Sequence, residues 1–210
     1  MPKTLQQIHE DVPADYYDRG IKLNILQRIW HKKRFNEVRA FSSDLKGRAL
    51  DIGCHSGLFT KQILQSSNIQ QIYGVDISAQ AIALAKNRIK KGRFFVADAH
   101  KLPFKDNFFD SIVCLEMLEH VENPQKVISE INRVLKKSGQ GIILIPTDNQ
   151  LFRIIWFLWN LYRPVWKHAH INSFNYSTVA SLLKREKLIV KESKRFSFNM
   201  LLIIKFHKKY

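Results

Sequence analysis

The chain has 210 residues with 45% hydrophobic and 25% charged composition, and 34 Lys+Arg against 18 Asp+Glu give a formal net charge of +16. Such a chain can bury a core, which excludes disordered and fibrous readings, and its cationic excess points to an anionic partner: nucleic acid, a membrane surface or an acidic substrate. Cys54 and Cys114 are too few for a disulfide scaffold, the first residues are too polar for a signal-peptide core, and no uninterrupted apolar run reaches the roughly 18 residues of a membrane span. A cytoplasmic location is the expectation, with peripheral contact at a membrane surface as a second. The charge is unevenly spread. Residues 1–46 and 47–150 each carry +3, whereas residues 151–210 carry +10.

Two helices are expected in the N-terminal 46 residues, a helical cap on the domain of residues 47–210. Ile21, Ile25, Ile29, Val38 and Phe41 recur at helical spacing there, with Lys32, Lys33 and Arg34 assigned to the exposed side. From Arg48 onward, short apolar runs alternate with amphipathic segments. Strands are expected at 48–52, 71–75, 93–97, 110–115 and 141–145. Helices are expected at 58–65, from a Ser78 cap through Ile89, and from Pro124 to an end near Ser138-Gly139. Continuous apolar strands alternating with helices imply a parallel sheet covered on both faces. Residues 151–176 form an aromatic insert that opens LFRIIWFLWNLY; a helix at 177–186 and two antiparallel edge strands at 188–196 and 200–206 follow.

The segment ALDIGCHSGLFTKQI, residues 49–63, runs strand, turn, helix, with Asp51 before the turn and Gly53 and Gly57 within it. Glycine permits positive φ and close ligand approach, and the helix behind offers free N–H groups. The next strand ends at Asp76, followed by Ile77, where a carboxylate can accept from two ribose hydroxyls. The Gly53-x-x-x-Gly57 spacing is not a dinucleotide fingerprint, and Asp51 suits a positively charged ligand better than a pyrophosphate.

This segment resembles motif I of class I S-adenosylmethionine (SAM)-dependent methyltransferases, (D/E)-x-G-x-G-x-G, with His55 in place of the middle glycine. Residues 96–121, VADAHKLPFKDNFFDSIVCLEMLEHV, resemble the family's following blocks. The resemblance is to the methyltransferase type 11 and ubiquinone-pathway O-methyltransferase group, and covers roughly residues 45–146. It implies a Rossmann-like α/β fold, a mostly parallel seven-strand sheet with an antiparallel edge strand and helices on both faces. It also implies that SAM is held by Asp51, Gly53, Cys54, Gly57, Asp76, Ile77, Asp98, Ala99, Leu115 and Glu116, with Asp98 and Ala99 at the adenine.

EMLEHVENP places Glu116, Glu119 and His120 at i, i+3 and i+4, a spacing that brings side chains to one side of a helical turn. Two carboxylates and an imidazole, completed by His168 or His170, are suitable ligands for a divalent metal. The stretch resembles that of ubiquinone-pathway O-methyltransferases, and in many small-molecule members of the superfamily the same stretch borders the substrate pocket. It also resembles the E-x-x-E-H metal site of small-RNA 2′-O-methyltransferases. A metal is therefore an alternative and not the default. His120 is the first choice for general base and His170 the second. The acceptor is expected to be a small, lipophilic molecule methylated at oxygen. RNA methylation and a catalytically silent SAM-binding module are the alternatives. The basic, aromatic C-terminal region faces a membrane surface, RNA or solvent on these readings, and the oligomeric state is left open.

Overall fold

The computed structural model describes residues 13–147, 149–150 and 171–209. The chain begins with helices α1 (Tyr16–Leu23) and α2 (Ile25–Ser42). They are separated at Asn24, whose extended backbone ends the first and whose side-chain oxygen accepts from the amides of Leu26 and Gln27 to start the second. The alternating part then runs β1 (Lys46–Ile52), α3 (Leu58–Ser66), β2 (Asn68–Asp76), α4 (Ala79–Arg88), β3 (Arg93–Val96) and β4 (Phe109–Leu115). After a single 3-10 turn, Leu118–His120, come α5 (Pro124–Val134), β5 (Leu135–Pro146), α6 (Tyr176–Arg185), β6 (Leu188–Phe196) and β7 (Leu201–Lys208).

Seven strands form one sheet in the order β3-β2-β1-β4-β5-β7-β6. All adjacent pairs from β3 to β5 are parallel, while β7 runs antiparallel to both β5 and β6. The expected antiparallel pair is therefore present, with β7 the reversed strand and β6 the edge. Successive residues face opposite sides, and both sides are covered. Ile112, Cys114, Ile143, Ile145, Leu202 and Ile204 join one core with α5 and α6. Val113, Leu115, Ile142, Leu144, Leu201 and Ile203 join a second with Val38 and Phe41 of α2. This two-sided burial explains why the strand segments read as unbroken apolar runs.

Strand order reverses between β1 and β4: β2 follows on one side and β5 on the other. At such a point the connecting chains leave in opposite directions, opening a crevice beyond the carboxyl ends of the strands. The functional loops sit there.

Two expectations of local structure need correction. The helix from Pro124 ends at Val134, well before Ser138-Gly139, because Leu135 turns into the sheet opposite Phe109 and is fully buried there. In α2, Arg34 is buried while Ile25 and Ile29 are exposed, the reverse of the expected faces. The buried residues His31, Arg34, Val38 and Phe41 define the inner stripe. At about 100° per residue, Ile25 and Ile29 fall on the opposite side. The insert residues 151–170, including His168 and His170, lie outside the described residues.

Phe109 is fully buried at the start of β4 and meets Tyr73, Phe104 and Phe108 at centroid distances of 5.4, 4.9 and 4.9 Å. Truncation leaves a cavity that these rings cannot close without leaving their own contacts. Phe109→Ala is expected to lower unfolding free energy by about 3–5 kcal/mol in a urea titration, with little change in slope.

Candidate functional site

The site is built where β1, β2 and β4 end. The amides of Gly53 and Cys54 both donate to the Val75 carbonyl, at 2.8 and 3.0 Å, so the loop after β1 hangs from the end of β2. His55 N donates to Asp76 Oδ2 at 2.8 Å, and Ser78 N donates to Oδ1 at 2.9 Å. Asp76 thereby holds the loop in shape, and each carboxylate oxygen keeps a further lone pair for a ligand hydroxyl. Gly53 and Gly57 both have φ of +73°. A Cβ on Gly53 would lie 2.5 Å from Met117 Cγ, so bulk is excluded there as well as strained.

His55, at the position of the family's middle glycine, also takes positive φ, at 45°. Its ring meets Tyr17 of α1 edge-on at 5.4 Å between centroids. The side chain thus ties the loop to the N-terminal helices. Arg88 adds a second tie, donating to Ser56 Oγ at 3.0 Å and to Asp18 at 2.7 Å.

Asp51 lies at the bottom of this pocket, only 3% exposed. Burial pushes its carboxyl up to about 7; a 2.6 Å hydrogen bond from Thr60 Oγ1 opposes the rise and the Asp76 charge adds to it. A carboxylate placed so is electrostatically incomplete and favours a cation beside it.

On the far wall, α2 inserts Arg34. Its guanidinium forms an ion pair with Glu116 and lies over the Phe59 ring, 5.0 Å from the centroid. Arg34 Nη1 stands 3.3 Å from His31 Nδ1. A guanidinium can only donate, so Nδ1 is the acceptor and His31 is neutral. Burial, reinforced by the Arg34 charge, pushes the His31 pKa down to about 3. Arg34 Nε is buried without a hydrogen-bond partner among the described residues. Tyr17 closes the group, with its hydroxyl pKa raised by burial and then by Glu116.

The Glu116, Glu119 and His120 spacing does not give one helical face. Glu116 takes φ of 50° at the end of β4, ahead of the 3-10 turn that carries the other two. Glu116 faces Arg34, whose positive charge opposes a divalent ion. Glu119 is buried, and burial, followed by the Glu116 charge, raises its pKa well above the usual carboxylate range. Its Oε1 lies 4.0 Å from His120 Nε2. Among the described residues, no three His, Cys, Asp or Glu side chains converge on a metal. The described donors, Glu116, Glu119 and His120, do not converge on one. His170 lies outside the described residues, but its neighbour Ile171 donates to the Glu119 carbonyl at 2.9 Å, as does Asn172 at 3.1 Å.

Asp51, Gly53, Cys54, Asp76, Leu115, Glu116 and His120 line one pocket together with Tyr17, Arg34 and His55. Gly57 shapes the loop behind it. Ile77, Asp98 and Ala99 do not line that pocket. The Asp98 carboxylate accepts from the His100 amide at 2.8 Å and from His100 Nδ1 at 2.7 Å. Sequence spacing missed Tyr17, His31, Arg34 and Thr60. A signal for Arg34 existed: positions 34, 38 and 41 are i, i+4 and i+7, so a charge sits on an apolar stripe.

The raised Asp51 pKa sets a sign for stability. Its unfolded-state value is 3.8, so between about pH 4 and 7 the folded protein holds a proton that the unfolded chain has lost. The Asp51 contribution therefore declines as pH rises through that window. Asp51→Asn, which keeps an acceptor for Thr60, is expected to change stability little at pH 4. At pH 8 it should stabilise the cofactor-free protein by on the order of 2–4 kcal/mol. Thermal melts at the two pH values check this.

The Methyltransferase domain family matches residues 50–143. A demethylmenaquinone methyltransferase of Leptospira interrogans is 30% identical over 213 residues, covering 88% of this chain and 85% of that protein. An uncharacterised protein of Methanocaldococcus jannaschii is 40% identical over 143 residues, covering 67% of this chain. The chain spans 63% of that relative's length. The solved N-methyltransferase NodS of Bradyrhizobium japonicum, in complex with S-adenosyl-L-homocysteine, superposes with a TM-score of 0.70 at 20% identity and covers all of both chains. That likeness confirms the fold. The chain belongs to the class I SAM-dependent methyltransferase family.

Proposed function

We propose that this protein transfers a methyl group from SAM to an oxygen of a small, apolar acceptor. The observation that carries the reading is the buried Asp51 carboxylate, left short of positive charge at the base of a glycine-bearing loop. SAM fits that deficit: when bound, it supplies a cationic ligand with an electrophilic methyl on its sulfonium. Asp51 attracts its positively charged part, and Asp76 accepts from ribose hydroxyls. Arg34, with a spare buried Nε–H, binds its carboxylate in exchange for part of the Glu116 pairing. Asp98 and Ala99 are assigned to the adenine on the motif alone.

The protein's remaining task is to align the acceptor and take its proton, since approximation supplies much of the rate once the electrophile is in place. His120 lines the same pocket as Asp51 and Asp76 and takes the proton from the acceptor hydroxyl; His170 is the alternative base. Glu119, with its neutral form favoured by burial, stands 4.0 Å from His120. An apolar acceptor agrees with the aromatic 151–170 sequence, and Ile171 and Asn172, which follow it, donate to the Glu119 carbonyl. The Leptospira relative, named for demethylmenaquinone, supports the same class.

His120→Ala is expected to reduce turnover by about 100-fold or more, while SAM affinity by isothermal titration stays within about threefold. Equal loss of both would assign His120 a structural role. Arg34→Gln and Asp51→Asn are each expected to weaken SAM binding by about tenfold or more. No heat of binding at about millimolar SAM would overturn the cofactor reading.

A further inference from the structure

The outer face of the N-terminal helix pair carries an apolar patch that the core does not use. Leu23, Ile25, Leu26 and Ile29 are 60–84% exposed, though each would gain by burial. They occupy consecutive turns at the α1–α2 junction. Phe198 adds an aromatic group. It is 79% exposed at the β6–β7 turn and lies 5.8 Å, centroid to Nζ, from Lys33. The turn holds Phe198 against backbone preference: Ser197, Phe198 and Asn199 have φ of 51°, 57° and 61°. Three successive non-glycine residues in the left-handed region are costly.

The charges around the patch have one sign. Between Tyr16 and Asn36 the exposed charged side chains are Arg19, Lys22, Arg28, Lys32 and Lys33. Arg19 is paired with Asp15 at 2.6 Å, which leaves four cations. Asp18 is half-buried and bound to Arg88 at 2.7 Å. The opposite face of the same two helices carries Tyr17 and Arg34 into the pocket, with His31 against Arg34, so the patch can be covered while the pocket stays intact.

We infer that this face is an interfacial anchor for an anionic phospholipid surface. Aliphatic side chains enter the boundary between headgroups and acyl chains, and lysines around them meet the phosphates. Four of the five apolar groups are aliphatic and Phe198 is one isolated ring, so the patch lacks the run of aromatic side chains on which successive bases stack and is a poor nucleic-acid platform. A second copy of the same face would bring like charges together. The inference goes beyond methyl transfer and does not rest on it, because vesicle binding is read without turnover.

The 210-residue chain is sedimented with vesicles of phosphatidylcholine alone, or with roughly 30% phosphatidylglycerol, at low and high salt. The wild type is expected to bind the anionic vesicles, weakly bind the neutral ones, and lose affinity as salt rises. Leu23→Glu/Leu26→Glu should reduce binding by about tenfold or more while thermal melting and SAM affinity remain unchanged. Lys22→Gln/Lys32→Gln should weaken binding and flatten its salt dependence. Absence of wild-type binding would overturn the inference, as would binding that the Leu23/Leu26 variant leaves intact. A wild-type dimer dissolved by that variant, without vesicle binding, would assign the patch to self-association and overturn it also. So would an RNA mobility shift abolished by the variant, again without vesicle binding.

Discussion

Asp51 is a carboxylate at the end of a strand buried on both faces, and the arrangement around it follows from that placement. Strand β1 sits inside the sheet, between β2 and β4, and Asp51, next to its last residue, is buried. Thr60 supplies one hydrogen bond, and the nearby Asp76 raises the electrostatic cost of ionisation. The positively charged Arg34 is on the other wall of the pocket and is engaged by Glu116. A cationic ligand therefore changes the energy of the whole loop, and the site is a place of stored electrostatic deficit.

The N-terminal helices complete the site from outside the alternating fold. His31 is kept neutral by burial and by Arg34, and it supports Arg34 through its ring nitrogen. Tyr17 spans His31 and His55 with edge-on contacts at 5.5 and 5.4 Å. A glycine in place of His55 would leave the loop without that second contact. The substitution of the family's middle glycine thus has a structural use: it joins the cofactor loop to the helix that covers it. One face of this pair builds the pocket and the other carries exposed aliphatic residues.

Legibility differed among the elements for identifiable reasons. Strands β1, β4 and β5 were readable because two-sided burial leaves continuous apolar runs, and Ser78 as a cap and Pro124 at a first turn mark helix starts chemically. The end of α5 was misread because Leu135 fits a helical stripe as well as a sheet position, and its pairing with Phe109 decides between them. Arg34 was misread because its neighbours Lys32 and Lys33 are exposed, while its own angular position matches Val38 and Phe41. The Glu116, Glu119 and His120 spacing suggested one face because helical geometry was assumed; a left-handed residue at Glu116 breaks that geometry.

The net charge of +16 says less about the reaction than the placement of a few carboxylates does. By itself the sequence determined the alternating architecture, the glycine-bearing turn after β1 and the family, because periodicity, glycine spacing and ordered motifs are local along the chain. Only the tertiary structure decided that Arg34 belongs to the site, that Glu116 is committed to it, and that Ile25, Leu26 and Ile29 face outward. Those outcomes depend on which side of a helix meets the sheet, and that side is chosen by packing between segments far apart in sequence.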